Sequence, residues 1–470
     1  MTNIKVSGTI ANKASFINPI RNQSINNSVP VGLSTKSNLP SFYGSNVVQV
    51  RTTLISNDEK KKYSELVNFI KDIPVSETSF NTPASKQMDM LLKSGKLLSK
   101  SNDSSTMLDN LYEIATVSRT DGLDSKNLIS NILDNTLNPR IITQTLGDIP
   151  QNEMYSIVAK LPADSPLRKN PAQINAISSV SSGTCPAASN EVNLADKNPA
   201  EYARWVNKLS SNDKSVTLNL KLSSISSNKL DAMTILNLLE AKVNKFGFDS
   251  VELTVAPDDF AYTRAKLQDK YWNQGERNVA DVLVQSAIMQ AGSQNTYNSL
   301  TDMRAGKFNS NPKGLIEVEK TFVESLIKNK EITSLVYQII DDDQNLIGHT
   351  CSFDKMEKHI KDTIDSGDNV IIGYVLTNET VGKVESGLYN PLTDGPKNRV
   401  INGHEITIVD YKTDNEGKTT FVCVDTDDDS PEYVEYSADW LLPKIHHAGY
   451  PAKIVEQDEA EILKRAAQAA

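Results

Sequence analysis

The sequence predicts an α+β chain, and three stretches carry that prediction. Between about 57 and 168, apolar residues recur at helical spacing, in stripes such as Tyr63, Leu66, Phe69 and Ile70. Farther on, Val216, Leu218, Leu220 and Leu222 alternate strictly, the period of a half-buried strand. Late in the chain a hairpin can be read: His404 to Tyr411, the turn Thr413-Asp414-Asn415-Glu416-Gly417, then Thr419 to Thr426. Helices gathered ahead of a run of antiparallel strands indicate α+β architecture.

Taken in order, residues 1–50 are rich in Asn, Ser and Thr and lack periodicity, so they are expected to form a disordered tail. Residues 57–168 read as a small all-α region. Its further stripes are Met88, Leu91, Leu92 and Leu97, then Leu108, Leu111, Ile114 and Ala115, then Leu128, Ile129, Ile132 and Leu133. Pro139, Pro150 and Pro162 punctuate its end, and a unit separable from 171–450 is expected. A helix then starts at Cys185. The next one has Asn198 as N-cap, Pro199 at its first position and Glu201 completing a capping box. A helix over 229–245 and a strand at Val251–Val255 follow, then helices over 277–291 and 315–328 separated by a polar loop from Asn295 to Asn311. Ser334–Ile340 reads as a strand. Ser352 caps a helix that Gly367 ends, and Val370–Val375 has the apolar run of a central strand. Residues 451–470 read as a C-terminal helix.

Composition narrows the function. A chain of 470 residues has room for two or three domains. Its net charge of −10 argues against binding a phosphate backbone, which calls for a basic surface. Three cysteines make no disulfide framework. The first twenty residues lack a signal-peptide pattern, and no apolar run approaches the roughly 18 residues that span a bilayer. The expectation is therefore no nucleic acid, no membrane, and a place in the cytoplasm or export by a non-classical route.

The chemistry centres on Ser181-Ser182-Gly183-Thr184-Cys185-Pro186-Ala187-Ala188. Turn residues lead into Pro186, which suits a first helical position because its missing N–H would lack a partner there. Ala188, Val192 and Ala195 continue at helical spacing. Cys185 thus stands at a helix N-terminus, where free N–H groups and the positive dipole end favour a thiolate. Two readings stand side by side: a reactive nucleophile, or a small buried apolar side chain.

The five histidines can be weighed singly. His349 and His359, flanking Cys351, read as surface residues, and His446 and His447, just past Pro443, as loop residues. His404 opens a strand after Asn402-Gly403. In the paired strand Phe421, Cys423 and Asp425 share one face by the period-two rule, with Asp425 at the polar end. The antiparallel turn brings His404 and Asp425 to the same end of the hairpin. An imidazole can take a proton from a thiol, and a carboxylate on its other nitrogen fixes ring orientation and tautomer. Asp427 is the fallback for that third position. No metal or cofactor is expected. The run Asp425-x-Asp427-x-Asp429 has Ser430 and Tyr436 where a calcium loop needs Gly and Glu, the cysteines lack zinc spacing, and no phosphate loop is present.

Gly183-Thr184-Cys185-Pro186-Ala187-Ala188, the distant Gly403-His404-Glu405-Ile406-Thr407-Ile408-Val409 and Phe421-Val422-Cys423-Val424-Asp425 together resemble the papain-like cysteine peptidase clan. The nearer match is to its bacterial branches, including the bacteriocin-processing, double-glycine peptidase-like proteins. The resemblance covers about 173–445. It implies a papain-like domain with a nucleophile helix packed on an antiparallel sheet, Cys185 as nucleophile, His404 as general base and then acid, and Asp425 as the orienting residue. It implies a protein or peptide substrate cleaved through a thioester. An amide acyltransferase, a deamidase or an inactive binding module would keep the same fold. Two departures stand out. Pro186 replaces the usual aromatic residue or Gly after the Cys. The oxyanion Gln of the clan has Ser179 at its position, so either Gln173 reaches in from a longer loop or the backbone N–H groups of Cys185 and its neighbours stabilise the oxyanion alone.

Overall fold

A computed structural model of the chain describes residues 51–75, 81–146, 150–169, 182–243, 247–272, 275–305, 313–381, 384, 387–427, 433–458 and 460. The expected tail and residues 461–470 of the expected C-terminal helix lie outside the described residues; 452–458 are helical.

Four helices open the described chain: α1 (Asn57–Ile70), α2 (Ala84–Lys93), α3 (Met107–Thr116) and α4 (Ser125–Leu137). Their starts follow local chemistry. Ser56 with Glu59, and Thr106 with Asp109, close capping boxes, and the Asp124 side chain accepts from Asn127 N. A fifth helix, α5 (Gln151–Lys160), follows, then α6 (Cys185–Lys197) and α7 (Pro199–Leu209). Leu66, Met88, Leu91, Leu111 and Ile132 belong to one continuous core with Val192, Trp205, Val206 and Leu283. All described residues fall in one compact unit. The shared core runs across the expected boundary near 168–171: α3 packs on α7, and α4 on α6 and α7, while α1 and α2 pack mainly within the α1–α4 group.

Two further expectations change. Asn198 makes no capping bond from its side chain. Glu201 is engaged elsewhere, accepting from Arg204 Nε at 2.9 Å, Trp205 Nε1 at 3.0 Å and Asn102 N at 2.9 Å. The helix expected over 229–245 stops early. After β1 (Val216–Lys221), α8 spans Lys229–Leu238, and Lys242–Val243 pairs with β2 (Ser250–Val255). A helix unforeseen from the sequence, α9 (Asp259–Tyr271), precedes α10 (Val279–Gly292) and α11 (Glu317–Lys328).

The C-terminal half is built on an antiparallel six-stranded sheet. Its strands are β3 (Ile332–Val336), β4 (Val370–Thr377), β5 (Val400–Thr413), β6 (Thr419–Asp425), β7 (Val434–Ser437) and β8 (Ile445–Pro451), in the spatial order β7-β6-β5-β4-β8-β3. The run read as a strand from Ser334 to Ile340 is split: β3 joins the large sheet, and Gln338–Ile340 forms a ribbon with Leu346–His349. The apolar strand β4 lies inside the sheet between β5 and β8, as its composition requires. Helix α12 (Phe353–Asp365) covers one face, where Met356 and Ile360 join Ile372, Ile406, Ile408, Phe421 and Cys423 in a second core. On the other face α6 meets β5, with Thr407 Oγ1 donating to Ser189 O at 3.3 Å.

Behind α6 two carboxyls are buried together. Gln285 Nε2 donates to Glu191 Oε2 at 3.0 Å, Tyr202 Oη to Glu191 Oε1 at 3.1 Å, and Asn135 Nδ2 to Asp281 Oδ1 at 2.7 Å. Burial pushes both carboxyls above their ordinary range, and the neighbouring Asp281 charge adds to this at Glu191.

Candidate active site

The cysteine loop is fixed by bonds that run far along the chain. Gly183 N donates to Asp302 Oδ2 at 2.6 Å, Thr184 Oγ1 to Gln285 Oε1 at 3.0 Å, and Ser182 Oγ to Gln144 O at 2.7 Å. Gly183 is needed for close approach, since a Cβ there would stand 2.9 Å from Gly314 N. Cys185 then opens α6 with Pro186 in its first turn, as the sequence indicated. Thr184 precedes the helix without capping it from its side chain.

The same segment that holds Ser182 also holds the end of β6. Gln144 N donates to Thr426 O at 2.9 Å, and Thr143 Oγ1 to the same carbonyl at 2.8 Å. Residues 143–145 thus tie the cysteine loop to the strand that ends in Asp425.

Pairing of β5 with β6 ends at Ile406 opposite Asp425. His404 lies two residues beyond that last rung, so it keeps the face of Ile406 and stands diagonally from Asp425, with Tyr374 of β4 on its other side. Its Nε2 meets Asp425 Oδ1 at 2.7 Å. The Cys185 thiol is close enough to help raise the ring, and with Nε2 held by Asp425, Nδ1 is the nitrogen left to it. Asp425 also accepts from Asp427 N at 3.1 Å and from Tyr436 Oη at 3.2 Å. Asp427, the fallback, therefore supports Asp425 through its backbone and does not replace it.

An aromatic roof covers this pair. Tyr374 presents its edge to His404 at 5.8 Å between centroids, Trp440 lies 6.4 Å from Tyr374, and Tyr436 stacks on Trp440 at 4.7 Å. Burial pulls the His404 imidazolium down, but the Asp425 charge, its hydrogen bond and Cys185 outweigh burial and hold the ring well above its ordinary value. Burial pushes Asp425 up, yet His404, the Asp427 N–H and the Tyr436 hydroxyl together keep it below the usual range. The other two thiols are pushed up: Cys351 by burial, Cys423 by burial and by Asp425.

The residue after His404 faces the opposite way. Glu405 accepts from Lys320 Nζ of α11 at 2.6 Å and from His447 Nε2 of β8 at 3.0 Å. Burial pulls Lys320 down, but Glu405 and Glu317, with a smaller contribution from Cys185, raise it above an ordinary lysine. Burial raises Glu405, but Lys320 and His447 more than offset it and hold the carboxyl at about 2.

The structure thus brings Cys185, His404 and Asp425 together. Gln173 and Ser179 lie outside the described residues. His359, expected at the surface, is buried on α12, its Nε2 3.3 Å from Asp458 Oδ2. His446 and His447, expected in a loop, lie on β8, and His447 is buried. Lys320 was missed because a lysine within Glu317-Val-Glu-Lys carries no sign of its distant partner. No protein-family model, curated protein or solved structure matches this chain.

Proposed function

We propose that the chain is a cysteine hydrolase with a papain-like arrangement, cleaving amide bonds of protein or peptide substrates through a thioester. The observation that carries this reading is one imidazole held between a buried carboxylate and a thiol at a helix N-terminus. His404 takes the Cys185 proton, and the thiolate attacks the substrate carbonyl, forming a C–S bond while the carbonyl electron pair moves to oxygen. The Cys185 N–H at the helix start and neighbouring backbone N–H groups stabilise that oxyanion. On collapse the C–N bond breaks and His404 gives its proton to the departing amine. The neutral ring then takes a proton from water as it attacks the thioester, releasing the acid and restoring the thiol. Asp425 keeps Nδ1 aimed at sulfur throughout and stabilises the imidazolium.

The test is brief alkylation with iodoacetamide at pH 6, followed by peptide mass spectrometry. Cys185 is expected to label ahead of Cys351 and Cys423, and His404→Ala to erase that preference. Labelling of Cys185 no faster than unfolded cysteine, and indifferent to His404→Ala, would leave a binding module of the same shape.

A further inference from the structure

Neighbouring residues on a strand point to opposite faces, so His446 and His447 should diverge. They do not. Along β8, Ile445 pairs with Tyr374 of β4 and His447 with the next residue, Gly373, which makes His446 the extra residue of a β-bulge. A bulge re-aims side chains, and here both imidazoles turn toward Glu317 at the start of α11. The rings meet nearly perpendicular, 5.7 Å apart. His446 Nε2 lies 3.7 Å and His447 Nδ1 3.8 Å from Glu317 Oε1. Those separations are too long for hydrogen bonds and suit donors placed around a shared centre. One donor atom from each of the three lies within 4.8 Å of the others.

The surroundings have the build of a ligand set. Nδ1 of His446 and Nδ1 of His447 are buried without hydrogen-bond partners, and His447 is only 4 % exposed. The other nitrogen of His447 is held by Glu405 at 3.0 Å, the carboxylate that fixes tautomer and ring angle for a metal-binding imidazole. Gly373 makes room for the ring, since a Cβ there would fall 2.0 Å from His447 Cε1. The nearest cation to the group among the described residues is Lys320, 4.0 Å from Glu317 Oε1, and Glu405 already matches its charge at 2.6 Å. With neutral imidazoles, the two carboxylates and Lys320 leave one net negative charge.

We propose that Glu317, His446 and His447 bind a divalent first-row transition metal, with two nitrogens and one oxygen from protein and the remaining position open to water. That donor set suits Zn2+ and its Co2+ surrogate better than the hard cations, which prefer all-oxygen sites. The site is independent of the hydrolase reading, because none of its ligands belongs to the Cys185–His404–Asp425 group.

The experiment uses the full chain, dialysed against chelator and titrated with Zn2+ by calorimetry and with Co2+ by absorption. One ion per chain is expected, retained in Cys185→Ala, with Co2+ ligand-field bands and no thiolate charge-transfer band. His446→Gln and Glu317→Gln should each weaken Zn2+ by tenfold or more. Glu405→Gln should cost roughly 10–100-fold through loss of the orienting carboxylate. His446→Gln breaks no hydrogen bond of its ring, and Glu317→Gln gives a second reading should either variant fold poorly. Absence of Zn2+ binding, binding lost in Cys185→Ala, or affinity unchanged in both His446→Gln and Glu317→Gln overturns the proposal.

Discussion

Two consecutive residues of β5, His404 and Glu405, begin two buried imidazole–carboxylate pairs on opposite faces of one strand. On one face His404 meets Asp425 at 2.7 Å; on the other His447 meets Glu405 at 3.0 Å. The pairs are alike in chemistry, and their neighbours separate them. His404 has a thiol at its second nitrogen and an aromatic roof. The second nitrogen of His447 faces a carboxylate at 3.8 Å and a second imidazole. On the two proposed readings, a histidine–carboxylate pair is only a mount, and what the other nitrogen faces decides whether it moves a proton or donates a lone pair.

The sharpest way to break the comparison is His404→Ala. Loss of the general base should lower hydrolysis by about 10²–10⁴-fold, read with fluorogenic peptides against Cys185→Ala as the zero. Asp425→Asn should keep the fold and reduce turnover. Because Asp425 holds His404 above its ordinary value, the imidazolium persists to higher pH in the native protein, and the alkaline limb of the rate profile should move down in Asp425→Asn. An alkaline limb that does not move would separate the carboxylate from the ring.

On the opposite face the expected loss is stability. Glu405→Gln leaves the buried Lys320 with only the more distant Glu317 as counter-charge, which should cost roughly 3 kcal/mol in urea unfolding. A loss below about 1 kcal/mol would mean that solvent reaches the ammonium and that the two faces differ less than their geometry suggests.

A smaller effect concerns the pair behind α6. Burial raises the Glu191 and Asp281 carboxyls, so the native state binds more protons than the unfolded chain between the ordinary carboxylate range and their folded values. Stability from this pair is full at acid pH and falls as pH rises from about 4 toward about 7. Asp281→Asn should flatten that slope, read as urea midpoints at several pH values. A slope identical to that of the native chain would show that the pair is already ionised when folded.

The smallest effect is one of charge. Gly403–Asp439 carries eleven acidic residues against Lys412 and Lys418. Lys/Arg-rich peptides should be cleaved faster than Glu-rich ones at low salt, with the gap closing as salt is added. Equal rates at low salt would remove this region from the path of the substrate.

The three residues of the thiol centre were legible because each sat in a short-range pattern: a Pro inside a helix start for Cys185, and the two-residue period of a hairpin for His404 and Asp425. The helices from Asn57 to Leu137 were legible for the same reason, but their joining was not. A stripe such as Leu128, Ile129, Ile132 and Leu133 shows which side is buried without naming what it is buried against. His446 and His447 were misread because Pro443 signals a turn and two adjacent polar rings break strand alternation; only the register with Gly373 reveals the bulge. Lys320 and His359 depend on partners far along the chain, which no local period encodes.

The strap at residues 143–145 bears on how the molecule comes to be assembled. Thr143 bonds a carbonyl 283 residues away, at Thr426. Contacts of that span form slowly, because a long loop must close before they contribute anything. As the chain emerges from synthesis, the helix bearing Cys185 can take shape well before His404 and Asp425 exist, and the three come together only when the last hairpin docks. On the proposed reading, reactivity at Cys185 is thus coupled to completion of the fold: an interrupted chain carries the thiol without its imidazole.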